Sequence, residues 1–338
     1  MPGPTDVNMA DVARAAGVST ATVSRALRDV PGVSDRTRAR IRAIADELAY
    51  VVSPEASRLS GRGSGRVALV VPRIDVWFYA TMLAGIESVM QQHDIDVLVY
   101  QVDGREQRSR FFRDLPARRK VDAVVLIALP VLADEERRLE LLGVEVVVAG
   151  GRLREWTHVR VDDHLVGLTA VRHLLELGHR RIAMVRTQDT DGTRWSSDVE
   201  RTRGYRDALA EAGVDFREDY LVSRPFGVLA GAEGVDALLA LPEPPTAVFA
   251  YSDEIALGVL RRLQERGLSV PGDVSVVGVD DHPLAGLFGL TTVSQEVETQ
   301  AQQVGELVAR LLRDGHHGRR SVVFEPTLAR RTTTGAPG

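Results

Sequence analysis

From Val67 onward the chain alternates between two periodicities. Short β-branched runs, each too brief for a stable helix, take turns with amphipathic segments of helical period. The runs are Val67–Val71, Asp96–Tyr100, Ala123–Ile127, Val144–Val148, Arg181–Val185, Thr246–Ala250 and Val274–Val279. The helical pattern falls on Tyr79–Gln92, Ser109–Leu115, Leu165–Leu177, Glu200–Ala212, Ala230–Leu241 and Glu254–Arg266. Strands in one sheet that are joined through helices run parallel, with the helices covering both faces. There are enough units for two such sheets, dividing near Asp162. A last helix, Glu298–Leu312, and a terminal strand, Ser321–Leu328, follow. At 338 residues the chain exceeds one ordinary core, which agrees with this division.

The first fifty residues follow a different pattern, that of three short helices. Asn8 is placed to cap a helix ended by Gly17. Ser19 caps Thr20–Leu27, and Ser34 caps Asp35–Ala49. Val12, Val23, Leu27, Ile41, Ile44 and Leu48 can share one small core. Gly17 and Val18 alone separate the first helix from the cap of the second, the short glycine-containing joint of a helix-turn-helix. Between this head and Val67, Ser53-Pro54-Glu55 opens a helix of one or two turns that Gly61, Gly63 and Gly65 cut short. A helix that brief forms only with outside support.

Charge separates the same regions. Residues 1–66 hold ten arginines against seven carboxylates, so this part carries +3 and the rest −8 of the formal total of −5. A basic head on an acidic body directs only the head toward a polyanion. Other classes drop out. The absence of cysteine removes disulfides, zinc thiolates and cysteine nucleophiles. Met1–Asp11 lacks the basic-then-apolar pattern of a signal peptide, and Val121–Leu132, the longest apolar stretch, is well short of the ~20 residues of a membrane helix. The expectation is therefore a cytoplasmic protein with no membrane partner. No GxGxxG after a strand, Walker loop, HExxH or nucleophile elbow is present, so neither an enzyme nor a cofactor is expected. His316-His317, the one histidine pair, sits among glycine and arginine and suits a solvated loop better than a metal site.

Asp11-Val-Ala-Arg-Ala-Ala-Gly-Val-Ser-Thr-Ala-Thr-Val-Ser-Arg-Ala-Leu27, continued by Val33-Ser34-Asp-Arg-Thr37-Arg38 and Ala45-Asp-Glu-Leu48-Ala-Tyr50, resembles the DNA-binding head of the LacI/GalR family of bacterial transcription regulators. Gly178-His179-Arg-Arg-Ile182, Arg201-Thr-Arg-Gly204-Tyr205 and the block from Gly267 to Asp281 resemble that family's later motifs, in the family's order. The resemblance runs from about Met9 to Arg331. It implies an α/β fold: an all-α helix-turn-helix head plus a two-lobed, periplasmic-binding-protein-like body of doubly wound parallel sheets. The expected boundaries are 1–50 for the head and 51–65 for a hinge helix and linker. Residues 66–161 with 293–320 would form the first lobe, and 162–292 with 321–331 the second.

The resemblance also implies roles. Thr20, Ala21 and Arg25, early in the second helix, would read base edges in the major groove; Arg25 can fork onto guanine. Ser19, Thr22, Ser24, Ser34 and Thr37 would hold phosphates. In the hinge, Leu59 would wedge into a base step and Ala56 would allow close approach in the minor groove. Val52-Ser53 stand where the family usually has Pro-Asn, so the resemblance does not carry over that asparagine's phosphate contact, while Ser53 can still cap. Asp75, Phe78, Tyr79, Arg201, Phe226, Ser252, Asp253 and Asp280 would line an effector site at the strand ends. Trp77 and Trp195 are further candidates for stacking, with Trp195 in a polar loop, Thr187–Val199, longer than is usual. Carboxylate, guanidinium and aromatic faces together suit a sugar or nucleoside. The implied partners are palindromic operator DNA, the small-molecule effector and a second copy of the chain, and the implied function is a repressor. The rival, a solute receptor of a transport system, would share the body but not the head.

Overall fold

The computed structural model describes residues 7–27, 30–48, 50, 63–114, 116–117, 120–141, 143–151, 156–188, 195–315, 318 and 320–338. These residues separate into two compact units, one ending at Ser64 and one beginning at Gly65.

The first unit is helical. Its elements are α1 (Met9–Ala16), α2 (Thr20–Leu27) and α3 (Asp35–Glu47). The side chain of Asn8 accepts from Ala10 N and Asp11 N, and Asp11 returns a bond to Asn8 N, which closes a capping box on α1. Gly17 ends α1 at φ +63°, a left-handed conformation that costs a side-chain-bearing residue strain. Val12, Val23, Ala26 and Ile41 are fully buried, while Leu27, Ile44 and Leu48 pack around them partly buried. A core this small leaves little margin, so Ile41→Ala would remove about 2–5 kcal/mol from the head.

The second unit contains two six-stranded sheets. The first sheet has the order β11-β5-β4-β3-β1-β2, from β1 (Arg66–Val71), β2 (Asp96–Gln101), β3 (Ala123–Ile127), β4 (Glu145–Ala149), β5 (Thr157–Val161) and β11 (Ser321–Phe324), all parallel. The second has the order β12-β10-β9-β8-β6-β7, from β6 (Ile182–Gln188), β7 (Leu221–Pro225), β8 (Ala247–Ala250), β9 (Ser275–Asp280), β10 (Thr291–Ser294) and β12 (Thr327–Ala329). Here only the β10–β12 pair is antiparallel. The covering helices of the first lobe are α4 (Trp77–Gln92), α5 (Gly104–Asp114), α6 (Ala133–Glu140) and α12 (Val297–Asp314). Those of the second are α7 (Asp163–Glu176), α8 (Ser196–Glu211), α9 (Val228–Leu239), α10 (Asp253–Glu265) and the short α11 (Pro283–Leu287). No helix among the described residues is long and apolar enough to cross a membrane.

The chain crosses between sheets after β5, after β10 and after β11. The last crossing corrects two expectations. The terminal segment 321–328 is two strands, and its first half joins the first lobe through pairs such as Val322–Val159 rather than the second. Residues 293 and 294 likewise finish β10 in the second sheet. The break falls at Glu325-Pro326, where proline lacks the N–H that would continue a ladder. Three strands, β5, β7 and β10, were not expected from the sequence because they lack an apolar run. In β5 the polar His158 is buried but satisfied: Nδ1 meets Trp156 O at 3.0 Å and Nε2 meets Ser321 Oγ at 2.7 Å. In β10 the buried Thr292 hydroxyl donates to Asp253 Oδ1 at 2.7 Å.

Candidate functional site

In the head, α2 turns Val23 and Ala26 inward and leaves Thr20, Ala21 and Arg25 exposed. At about 100° per residue these three fall within an arc of about 140°, a single face. Arg25 makes no ion pair or hydrogen bond among the described residues. The helix starts are built alike. Ser19 Oγ accepts from Thr22 N at 3.2 Å and meets Thr22 Oγ1 at 2.9 Å, while Ser34 Oγ accepts from Thr37 N at 3.3 Å and meets Thr37 Oγ1 at 2.9 Å. Each cap leaves neighbouring first-turn N–H groups free for an anion. Ser24 is half-buried on the same helix. Two arginines of the head are internal ties. Arg40 Nη2 donates to Ala16 O at 2.7 Å at the end of α1, and Arg38 Nη2 reaches Val30 O at 3.3 Å and Val33 O at 3.5 Å. The hinge residues Ala56 and Leu59, with Val52-Ser53, lie outside the described residues, as does His316-His317.

In the body a cleft opens where the two lobes meet at the strand ends. Phe78 and Tyr79 of α4 line one side, and Arg201, Phe226, Ser252 and Asp280 line the other. Its free volume is about 60 Å³, small beside the roughly 300–1,000 Å³ of ordinary ligand pockets, so a ring-sized ligand requires the lobes to part. Contacts across the cleft account for the closure. The rings of Tyr79 and Trp195 lie 6.3 Å apart, the Arg73 guanidinium sits 5.8 Å from the centre of the Phe226 ring, and Trp77 and His282 approach to 4.9 Å.

Arg201 is positioned by close helix packing. A Cβ on Gly167 of α7 would lie 2.3 Å from Arg201 O, and one on Gly204 of α8 would lie 2.2 Å from His164 O. Only glycine lets these helices approach so closely, and Tyr205 anchors α8 by donating to Ile182 O at 2.9 Å. The Arg201 guanidinium then donates from Nε to Asp163 Oδ1 at 2.9 Å and from Nη1 to Tyr251 O at 2.7 Å, and lies 4.6 Å from the centre of the Tyr251 ring. Asp280 accepts from Gln295 Nε2 and has φ +126°, a strained backbone worth about 1–3 kcal/mol that tends to mark a working position. Burial pushes the Asp280 carboxyl up to about 7, against the pull of Arg201. Burial likewise raises Asp163, with Arg201 opposing, and raises Asp253, which the charge of Asp280 pushes further.

Two expected effector residues do not line the cleft. Asp75 is exposed and held by Arg73, Nε to Oδ1 at 3.0 Å and Nη2 to Oδ2 at 2.8 Å; Arg73 faces the cleft in its place. Asp253 is fully buried, accepting from His282 N at 2.8 Å as well as from Thr292, and so ties α10 to β10. Asp163, Tyr251, Gln295 and Thr187 line the cleft without having been marked for it. Gln295 follows β10 at a crossing, and that topological position was the signal available for it. Trp77 stands beside the cleft, while Trp195 lines it.

Two family descriptions match the chain: "Bacterial regulatory proteins, lacI family" over residues 8–53 and "Periplasmic binding protein-like domain" over residues 171–334. The HTH-type transcriptional regulator DegA of Bacillus subtilis is 30% identical, covering 96% of this chain and 97% of its own. The HTH-type transcriptional repressor CytR of Escherichia coli is 31% identical over 98% of this chain and 97% of its own. Among solved structures, a transcriptional regulator CelR–cellobiose complex superimposes with a TM-score of 0.72 at 29% identity, covering 97% of this chain and 99% of that one. With a helix-turn-helix whose second helix leaves one face exposed and a two-lobed body, this chain belongs to the lacI family of bacterial regulatory proteins and is a DNA-binding transcriptional regulator, not an enzyme.

Proposed function

We propose that the protein is a repressor whose grip on a palindromic operator is set by a neutral, hydroxyl-rich ring compound, a sugar or nucleoside, held between the lobes. The observation that carries this is the composition of the cleft. One guanidinium and two carboxylates are buried beside Phe78, Tyr79, Phe226 and Tyr251. Arg201 is already matched by Asp163, so an anionic ligand would gain no unpaired counter-charge from it. Hydroxyls can accept from and donate to such groups, while ring faces stack on the aromatics. CelR was solved with cellobiose, a ligand of this class.

On the DNA side, Thr20, Ala21 and Arg25 read bases, and Ser19, Thr22, Ser24, Ser34 and Thr37 position the phosphates. Leu59 wedges into the minor groove and Ala56 permits close approach of a second hinge helix. A palindrome implies two heads. Leu284, Leu287 and Phe288, on and just after α11, are 41%, 77% and 56% exposed, an apolar patch that a second copy would cover. The site of action is the cytoplasm, where the operator is.

The test is a gel shift on the gene's own upstream DNA, with and without sugars and nucleosides. The expected outcome is a shift on a palindromic site that one ligand class relieves. No shift on any such site removes the operator reading, and a shift that no neutral ring compound alters removes the effector reading.

A further inference from the structure

Among the described residues a small set of buried side-chain polar atoms lacks any hydrogen-bond partner, and two of them line the cleft: the hydroxyl of Thr187 and the indole N–H of Trp195. Thr187 is 1% exposed and Trp195 9%. A buried donor without a partner costs the folded protein stability, so such atoms are rare and call for a cause. These two lie on consecutive elements of the second lobe: Thr187 near the end of β6, and Trp195 immediately before α8. The Trp195 ring nevertheless packs in the hydrophobic cluster of the first lobe with Tyr79. The indole therefore bridges the cleft, its carbon frame satisfied by packing and its one polar atom left open.

The other polar groups of the cleft are committed elsewhere. Ser197 Oγ meets Tyr251 OH at 2.7 Å, Arg201 is bonded to Asp163 and Tyr251, and Gln295 donates to Asp280. Ser252 Oγ is taken up capping α10 through Ile255 N at 3.3 Å. Thr187 and Trp195 differ from these groups in that their only side-chain polar atom is buried and has no partner at all.

We propose that Thr187 and Trp195 are specificity-determining residues that together read an oxygen acceptor, a hydroxyl or ring oxygen, on the effector. This rests on the effector reading above. The indole N–H only donates, so the ligand must present an acceptor to it; the threonine hydroxyl donates or accepts and fixes which neighbouring oxygen is taken. Because Trp195 also packs on the first lobe, filling this bond couples ligand identity to lobe closure.

Trp195→Phe and Thr187→Val test this, since each removes the polar atom and keeps most of the shape. Calorimetric titration of the full chain is run with ribose, cellobiose and adenosine, alongside thermal melts without ligand. The expected result is that whichever compound binds the wild type binds each variant about tenfold more weakly, the effect of one lost hydrogen bond. The ligand-free melting temperature of Thr187→Val should stay level or rise, because an unmet donor has gone, while Trp195→Phe also loses packing in the cluster around Tyr79 and melts lower. A deoxy analogue of the bound compound should lose affinity for the wild type and lose less for the variant that no longer contacts the missing oxygen. Unchanged affinity in both variants overturns this inference and leaves the effector reading standing. So does a drop in the ligand-free stability of Thr187→Val with affinity kept in both variants, which would make the threonine hydroxyl part of a structural network. Failure of the wild type to bind any of the compounds, or any other neutral ring compound, overturns both.

Discussion

The head and the body treat their functional groups in opposite ways. In the head, Thr20, Ala21 and Arg25 stand exposed on one face of α2, and Arg25 is unpaired among the described residues. In the body, Arg201, Asp163 and Asp280 are all more than nine-tenths buried, and each is bonded to another protein group. The contrast follows from the partners. DNA brings its own charge and remains largely solvated, so a free arginine at the surface is ready for it at no desolvation cost. The proposed ligand, a small neutral ring, must be enclosed to be recognised, and the charges around it must be held by protein groups when the cleft is shut. The head is therefore a preformed surface, and the body a site whose charged groups are held by one another and by neighbouring protein groups until ligand reorganises them. Such a site can favour one lobe arrangement over another, which is what switching requires.

The comparison breaks most sharply at Arg201. Arg201→Ala should abolish the effector response and remove about 3–5 kcal/mol from the body by leaving Asp163 buried without its counter-charge. Pairing it with Asp163→Asn should recover much of that stability and none of the response. Chemical unfolding and gel shift together check this; a fully stable single variant would mean that the buried pair is not coupled as described. In the head, Arg25→Ala should leave the melting temperature unchanged and cost about 1–3 kcal/mol of discrimination at one base pair, read by binding to a panel of operator variants. A thermal loss there would show that Arg25 belongs to the fold, as Arg38 and Arg40 do.

The smallest effect is a tilt with pH. Asp280 has its carboxyl raised to about 7 in the folded body, so between the ordinary carboxylate range and about 7 only the folded state holds this proton. The ligand-free body should lose stability from this group as pH rises through that window. Asp280→Asn stays neutral throughout and should gain on the wild type between pH 5 and pH 8. The difference between the two proteins is the measurement to make, because burial depresses His173, His179 and His282, and these tilt the curve the other way below the usual histidine range. A flat difference would show that Asp280 is charged throughout.

Legibility divided along the same line. The head could be read because its signals are local: a cap, a glycine and a few apolar residues within one turn of each other. The cleft was half legible. Phe78, Tyr79, Arg201, Phe226, Ser252 and Asp280 face it as expected. Asp75 and Asp253 sit one or two residues from residues that do, Arg73 and Ser252, and the orientation of an individual side chain at a strand end is not a periodic property. The His179 motif turned out to be structural. Its ring meets Thr246 Oγ1 at 2.9 Å, Ser275 Oγ at 3.0 Å and Gly335 O at 2.9 Å, groups far apart in sequence.

The sequence alone determined the three-helix head, the alternation of strand and helix and the existence of two sheets, because caps, turns and hydrophobic period act over a few residues. It also placed Gly204 in register with Arg201. Only the tertiary structure decided that Glu325-Pro326 divides the last strand between the lobes, that Asp253 is scaffold and that Asp163 is the partner of Arg201. It also placed Trp195 across the cleft with its N–H unmet. Those outcomes depend on which polar group finds which partner once distant segments are buried together, and burial makes that pairing obligatory without the local sequence saying with whom.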